Sequence, residues 1–112
     1  MPVERRWYEF TREKVLDVDR GMAGIYWIGD IDKKPVYIGS SDKSVRGRLL
    51  AHIRNKRCPK GKLFRYIELD EYADTKQVEA GAVWRHVRKY RKLPLYIKSY
   101  PYFKTHGYDW PF

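Results

Sequence analysis

The sequence predicts a small α+β domain in which helices flank a central mixed or antiparallel sheet of about three strands, in the order β-β-α-β-α. Two observations support this fold class. Short apolar runs rich in β-branched and aromatic residues are typical of strands, and two longer stretches repeat apolar residues at helical spacing. With 112 residues, of which 43% are hydrophobic, the chain can form one domain with one modest core.

The first part of the chain predicts a short helix followed by a hairpin. We expect one helical turn over residues 10–16, with Thr11 as its N-cap. Residues 23–29 are apolar, β-branched and aromatic, which predicts a buried strand. A polar turn and a second strand over 35–39 complete the predicted hairpin.

The middle of the chain predicts a helix and a third strand. Ser44 is a good N-cap for a helix that continues to about Lys56, and a loop and a strand over 62–69 follow it. The helix presents one apolar face made of Val45, Leu49, Leu50 and Ile53.

A second long helix is predicted near the end of the chain. Asp74 or Thr75 is its expected N-cap, and the helix is expected to reach about Lys92 because Pro94 follows. A short strand could follow over 95–100. The aromatic tail, residues 98–112, is expected to pack along the surface.

The charge pattern favours a polyanionic partner. The formal net charge is +10 and the sequence pI is about 9.8. Nine Lys or Arg lie without an acid between Asp42 and Glu68, and seven lie between Glu79 and Asp109. Such segregation predicts a positive face that binds nucleic-acid phosphates, with a merely solvated basic surface as the alternative. The candidate phosphate contacts are Arg46, Arg54, Lys56, Arg57, Lys60, Lys62, Arg85, Arg88 and Lys89.

Cysteine content and hydropathy indicate a protein of the cytoplasm. Cys58 is the single cysteine, so no internal disulfide can form, which suits a reducing compartment. No apolar run approaches the roughly 20 residues that span a bilayer, and the charged, aromatic start shows no signal peptide. We therefore expect no membrane partner.

Two helices carry polar residues at positions where apolar ones are expected. On a helical wheel, Glu79 falls on the apolar side of the second long helix, with His86 nearby. A buried charge must be paired, protonated or bound to a metal. The alternatives to a metal site are that Glu79 extends past the edge of the sheet or pairs with an arginine. In the first long helix, Arg48 and His52 are four residues apart on one stripe, which could also be a solvated flank.

Two tripeptides identify a family. Gly24-Ile25-Tyr26 is followed, after ten residues, by Tyr37-Ile38-Gly39. This pair resembles the signature of the GIY-YIG nuclease superfamily, which includes the first nuclease domain of the bacterial excision-repair nuclease and the catalytic domains of several homing endonucleases. The predicted hairpin, basic helix, strand and Glu-bearing helix match the family's order over about residues 10–97, so one stand-alone nuclease domain over 1–112 is expected.

The resemblance implies a role for each matching position. Tyr26 and Tyr37 match the motif tyrosines, Arg48 the catalytic arginine, His52 a histidine of some members, and Glu79 the metal-binding glutamate. One extra residue before the helix makes Arg46 a rival of Arg48, although the spacing to His52 and the Ser44 cap favour Arg48. Many members have an Asn near the domain end, where this chain has Ile97.

These residues suit metal-dependent hydrolysis of a phosphodiester. Glu79 would bind one Mg²⁺ or Mn²⁺, since both ions prefer oxygen ligands, and the ion would stabilise the departing oxygen. Arg48 would bind the non-bridging phosphate oxygens with its planar fork. We expect both tyrosines on one sheet face if the strands are regular, with Tyr26 accepting the water's proton and Tyr37 positioning water or phosphate. Core packing is the alternative for either tyrosine.

Three functions follow from this sequence. The first is a metal-dependent endonuclease, most plausibly acting on DNA. The second is a non-catalytic nucleic-acid binding module with the nuclease fold, suggested by Ile97 and the extra residue. The third is a structural partner subunit. A homodimer or a partner protein could confer specificity, because phosphate contacts carry none.

Overall fold

The computed structural model describes residues 6–103 and contains four strands and three helices in that range. The strands are β1 (Tyr8–Glu9), β2 (Gly24–Gly29), β3 (Pro35–Ser41) and β4 (Leu63–Glu68). The helices are α1 (Arg12–Val15), α2 (Val45–Arg54) and α3 (Thr75–Tyr90). The α+β class is confirmed.

The sheet is antiparallel throughout, with the order β1-β4-β2-β3. The prediction of about three strands therefore misses one. The missed strand, β1, pairs Tyr8 with Phe64 and Glu9 with Leu63. Two residues are too few to show the alternation by which a strand is detected in a sequence. At the opposite edge of the sheet lies β3, paired along its length with β2 alone among the described strands.

Each face of the sheet has its own core. Tyr26, Ile28 and Phe64 pack on one face with the apolar side chains of α1 and α2. Ile25 and Trp27, the alternate residues of β2, pack on the other face with α3. Because β2 is covered on both sides, all six of its residues are buried, which explains its continuous apolar sequence.

Side-chain caps begin all three helices where the sequence predicts. Thr11 accepts a hydrogen bond from the Lys14 amide at 3.2 Å, Ser44 from that of Gly47 at 3.0 Å, and Asp74 from that of Gln77 at 3.2 Å. These bonds satisfy amides that the helix itself leaves without acceptors.

The long helices end two residues earlier than predicted. The last residue of α2 is Arg54, and α3 ends at Tyr90 because Arg91 adopts a left-handed conformation with φ of 64°. The possible strand over 95–100 does not form. Instead, the Tyr96 amide makes a single 2.9 Å hydrogen bond to the Val36 carbonyl.

The beginning of the tail lies along α3. Trp84 Nε1 donates to the Pro101 carbonyl at 2.9 Å, and Gln77 Nε2 donates to the Tyr102 carbonyl at 3.2 Å. Phe103 is buried. The prediction for 104–112 lies outside the described residues. Within 6–103, no helix combines the length and apolar character that crossing a membrane requires.

Candidate active site

The hairpin places the two motif tyrosines on one face of the sheet. Tyr26 pairs with Gly39 and Ile28 pairs with Tyr37, so the two phenols lie diagonally across the ladder with ring centroids 6.1 Å apart. A Cβ at Gly39 would collide with the Tyr26 phenol and come within 2.9 Å of the Tyr37 ring. Gly39 therefore gives the Tyr26 side chain the space to cross β3.

His52 joins this cluster from α2. Its Nε2 is 2.9 Å from the hydroxyl of Tyr26, and its ring lies edge-on to Tyr37 with centroids 4.5 Å apart. On the other side of the ring, Nδ1 is 3.9 Å from the sulfur of Cys58. Tyr26, His52 and Cys58 are all buried, whereas Tyr37 is half-buried at the surface of the cluster.

The electrostatic environment keeps these groups neutral at physiological pH. Burial raises the pKa of Tyr26 well above its usual range, and the charges of Tyr37 and Glu79 raise it further. Burial lowers the pKa of His52 to about 4, helped by the nearby guanidinium groups of Arg57 and Arg48. A neutral imidazole can accept the Tyr26 proton at Nε2 in the tautomer that is protonated at Nδ1.

Arg48 is the arginine of α2 that acts on the cluster. Its side chain is exposed, and its positive charge opposes the rise in pKa of both tyrosines and lowers the pKa of His52. Arg46 is half-buried and is not among the charges that shift these three pKa values. The electrostatics therefore favour Arg48 over its rival.

Glu79 approaches the same place from α3, on the opposite face of the sheet. Its Oε1 accepts a 2.7 Å hydrogen bond from the Ser40 hydroxyl and lies 3.7 Å from Nζ of Lys76. Its side chain is 24% exposed. The carboxylate also contributes to the raised pKa of Tyr26 and Tyr37. Its charge can act on groups on the other face because β3 is the edge strand of the sheet formed by residues 6–103.

The donor set at Glu79 fits a hard divalent cation. Both described contacts of the carboxylate use Oε1, so Oε2 is the oxygen that can face an ion. No group of three His, Cys, Asp or Glu side chains suited to a metal occurs among residues 6–103. An ion here would take its remaining ligands from phosphate and water, as Mg²⁺ readily does.

The predicted phosphate contacts divide between the two faces of the sheet. All are exposed except the half-buried Arg46. Arg57, in the loop after α2, lies on the side of the tyrosines and lowers the pKa of His52, whereas Lys60 of the same loop lines a cavity with Lys92 and His86. Arg85 and Lys89 line a cavity between α3 and the sheet on the other side. The nine residues therefore do not form one continuous surface.

Two residues of the site were missed from the sequence. Ser40, 3% exposed, has no distinctive motif, although its position directly after Gly39 could have drawn attention to it. Cys58 is six residues beyond His52, outside the helix, so helical spacing does not connect them. Burial raises the pKa of Cys58 to about 11, which keeps it a thiol at neutral pH.

Comparison with solved structures identifies the fold. The GIY-YIG N-terminal endonuclease domain of UvrC from Thermotoga maritima, bound to magnesium as its catalytic divalent cation, matches with a TM-score of 0.59 and 22% identity. The match covers 78% of this chain and 94% of that domain. The chain has the GIY-YIG fold. A point mutant of the same UvrC domain, bound to its catalytic divalent cation, matches at 21% identity and covers 79% of the chain with the same TM-score.

The GIY-YIG fold confirms the structural part of the resemblance that the two tripeptides predicted. No protein-family model and no curated protein sequence matches the chain. At 21–22% identity, the structural matches establish the fold.

Proposed function

We propose that this chain is a metal-dependent endonuclease that hydrolyses phosphodiester bonds in nucleic acid, with DNA as the favoured substrate. One observation carries the proposal. Glu79 from α3 and the cluster of Tyr26, Tyr37 and His52 with Arg48 approach the same edge strand from opposite faces of the sheet. A carboxylate can hold a metal ion, a guanidinium can stabilise negative charge on a phosphate, and a phenol can transfer a proton, so this set suits phosphodiester hydrolysis.

Arg48 would bind the scissile phosphate. Its guanidinium is exposed and can present a planar pair of donors to two non-bridging oxygens. Preorganised donors aimed at the charge that develops in the transition state contribute roughly 3–4 kcal/mol in comparable sites.

Glu79 would hold one Mg²⁺ or Mn²⁺ through Oε2 while Ser40 fixes Oε1. When bound, such an ion supplies positive charge that stabilises the departing oxygen. The magnesium of the UvrC domain supports this assignment, as does the oxygen-only donor set of Glu79.

We assign the role of proton acceptor to Tyr37 rather than to Tyr26. The sequence favoured Tyr26, but its side chain is 2% exposed and its hydroxyl is engaged with His52. A water molecule can reach the half-buried Tyr37 more readily. The pKa of Tyr37 is raised by burial and then by the Glu79 carboxylate. A cation bound to Glu79 would cancel the second effect and so favour the phenolate form of Tyr37. Tyr26 would orient Tyr37 and His52.

Nicking of a supercoiled plasmid in the presence of Mg²⁺ or Mn²⁺ tests the proposal. Wild-type protein should convert the plasmid to open circles, and chelation should stop the reaction. Glu79→Gln and Arg48→Gln should abolish nicking, while Arg46→Gln, the matched control on the same helix, should retain it. A single-stranded RNA assayed in parallel tests the preference for DNA. Absence of cleavage of every substrate with either metal would refute the proposal.

A non-catalytic nucleic-acid binding module is the second candidate. It is favoured by Ile97, an apolar residue where many GIY-YIG members have an Asn. Its amide donates to the Pro94 carbonyl at 3.0 Å, and the residue lines a cavity behind β3. Salt-sensitive binding without cleavage would select this candidate.

A cytoplasmic location and a homodimer or partner protein stay predictions.

A further inference from the structure

Two adjoining cavities flank the end of α3. The first, of about 250 Å³, lies between α3 and the sheet. The second, of about 390 Å³, lies between the β2–β3 turn and the residues that follow α3. Pro35 and His86 line both cavities.

Cationic side chains dominate the lining of these cavities. Asp30 is the single acid among the described lining residues, and its Oδ1 already accepts the backbone amides of Asp32 and Lys34 at 2.9 and 3.0 Å. That carboxylate shapes the turn, and its negative charge partly opposes the lowering of the Lys34 pKa by Lys92. The cationic side chains are Lys33, Arg65, Arg85 and Lys89 in the first cavity and Lys34, Lys60 and Lys92 in the second.

Two lysines lie over the ring of Tyr90, and a third, Lys92, lies next to one of them. Nζ of Lys34 and Nζ of Lys89 are each 5.2 Å from the centroid of Tyr90. A side-chain hydrogen bond and the charge of Lys92 lower the pKa of Lys34. The lowered pKa of Lys34 reflects repulsion from the ammonium group of Lys92, and an anion bound beside these lysines would relieve that repulsion.

His86, which lines both cavities, is a neutral side chain at neutral pH. It is 5% exposed, its ring lies 4.5 Å from that of Tyr90, and neither ring nitrogen has a hydrogen-bond partner among the described residues. Burial, together with the charges of Lys34, Lys92 and Lys89, lowers its pKa to about 4. At neutral pH the three lysines therefore face a neutral imidazole.

We propose that Lys34, Lys89 and Lys92 form a binding site for a phosphate group of a nucleic-acid backbone, separate from the catalytic residues. The choice of a nucleic-acid phosphate rests on the proposed function. Three ammonium groups suit a tetrahedral anion with several acceptor oxygens. Lys89 is ten residues from Glu79 on α3, about 15 Å along the helix. The substrate must therefore extend about that far from the scissile bond to reach both sites.

Salt-dependent binding tests this site without requiring cleavage. Fluorescence anisotropy of a labelled duplex of about 20 base pairs, measured in EDTA, gives the slope of log K against log salt. Lys34→Gln/Lys92→Gln should flatten this slope by about 1.8, because each lost phosphate contact removes about 0.9. The control Arg12→Gln/Lys14→Gln makes the same change in net charge on exposed positions of α1 and should leave the slope near the wild-type value.

The outcomes separate this proposal from the nuclease proposal. Equal slopes for the wild type and Lys34→Gln/Lys92→Gln, or equal losses in both double variants, would overturn the phosphate site even if the plasmid is nicked. A flatter slope of log K against log salt in Lys34→Gln/Lys92→Gln, but not in the control, supports the site even if no cleavage occurs. As a second measurement, NMR titration with inorganic pyrophosphate should shift the side-chain signals of Lys34 and Tyr90 in the wild type. The absence of such shifts would also count against the site.

Discussion

The carboxylate of Glu79 accepts a 2.7 Å hydrogen bond from the hydroxyl of Ser40, the residue that follows the Tyr37-Ile38-Gly39 motif. This bond joins α3 to the edge strand. Because Ser40 is buried and belongs to β3, it holds one carboxylate oxygen in place, and we expect the other oxygen to be available to an ion. The acid is thereby positioned by the same strand that carries Tyr37.

Removing the Ser40 hydroxyl should weaken metal binding more than it weakens catalysis. In Ser40→Ala the Glu79 carboxylate gains freedom, so we expect a several-fold rise in the Mg²⁺ concentration for half-maximal nicking, with activity recovered at high Mg²⁺. Loss of a hydrogen bond to a charged group should also cost about 1–3 kcal/mol of stability. Ser99→Ala, at an exposed position, is the control. An unchanged Mg²⁺ dependence in Ser40→Ala would contradict the positioning role.

Replacing each motif tyrosine by phenylalanine should distinguish the tyrosine that stabilises the fold from the tyrosine that transfers a proton. Tyr37→Phe should lower the nicking rate by about 10²–10⁴-fold, the range for loss of a proton-transfer group, with little change in stability. Tyr26→Phe leaves the buried Nε2 of His52 without its 2.9 Å partner, so it should lower the free energy of unfolding by about 1–3 kcal/mol. Urea unfolding and single-turnover nicking measure the two effects. A greater loss of rate in Tyr26→Phe would reverse the assignment.

Stability should fall as the solution is acidified from about pH 6.5 toward pH 4. The folded-state pKa of His52 and of His86 is about 4, below the ordinary value of 6.5, so in this window the unfolded chain binds protons that the folded chain does not. Each histidine can contribute up to about 1.4 kcal/mol per pH unit. Urea unfolding between about pH 7 and pH 5 should show the decline, and His86→Leu should reduce its slope. A slope unaffected by His86→Leu would contradict the depressed pKa.

The left-handed Arg91 offers a stabilising substitution. A non-glycine residue at φ of 64° is strained, and glycine is the residue preferred directly after a helix. Arg91→Gly should therefore raise the free energy of unfolding by about 0.5–1 kcal/mol without changing the rate of nicking. Arg91→Ala removes the same charge but keeps the strain, so it should not stabilise. Equal unfolding free energies for the two variants would argue against strain as the cause.

The hairpin, the helix caps and the inward position of Glu79 could be predicted because each has a local signal. The tripeptides lie on apolar runs, Ser44 precedes a helical repeat, and the wheel places Glu79 among apolar residues. Such signals need only a few neighbouring positions in the sequence.

The contacts of the site could not be predicted in the same way, because they join residues far apart in the chain. Ser40 and Glu79 are 39 residues apart, and Tyr26 and His52 are 26 apart. The degree to which Tyr26 is buried depends on how α2 packs against the hairpin, which no local pattern records. For this reason the sequence favoured Tyr26 as the proton acceptor without any indication of its burial, and the choice between the two tyrosines stays a proposal.

Because β3 lies at the edge of the sheet, the residues of the candidate active site are held in place by two different cores, one on each face of the sheet. The arginine and the tyrosines depend on the packing of α2, and the acid depends on the packing of α3 against the other side. Cleaving the chain in the loop between β4 and α3 would thus divide the machinery into two inert pieces. Mixing those pieces should restore nicking only to the extent that they reassemble, so enzymatic activity would serve as a sensor of complementation between fragments.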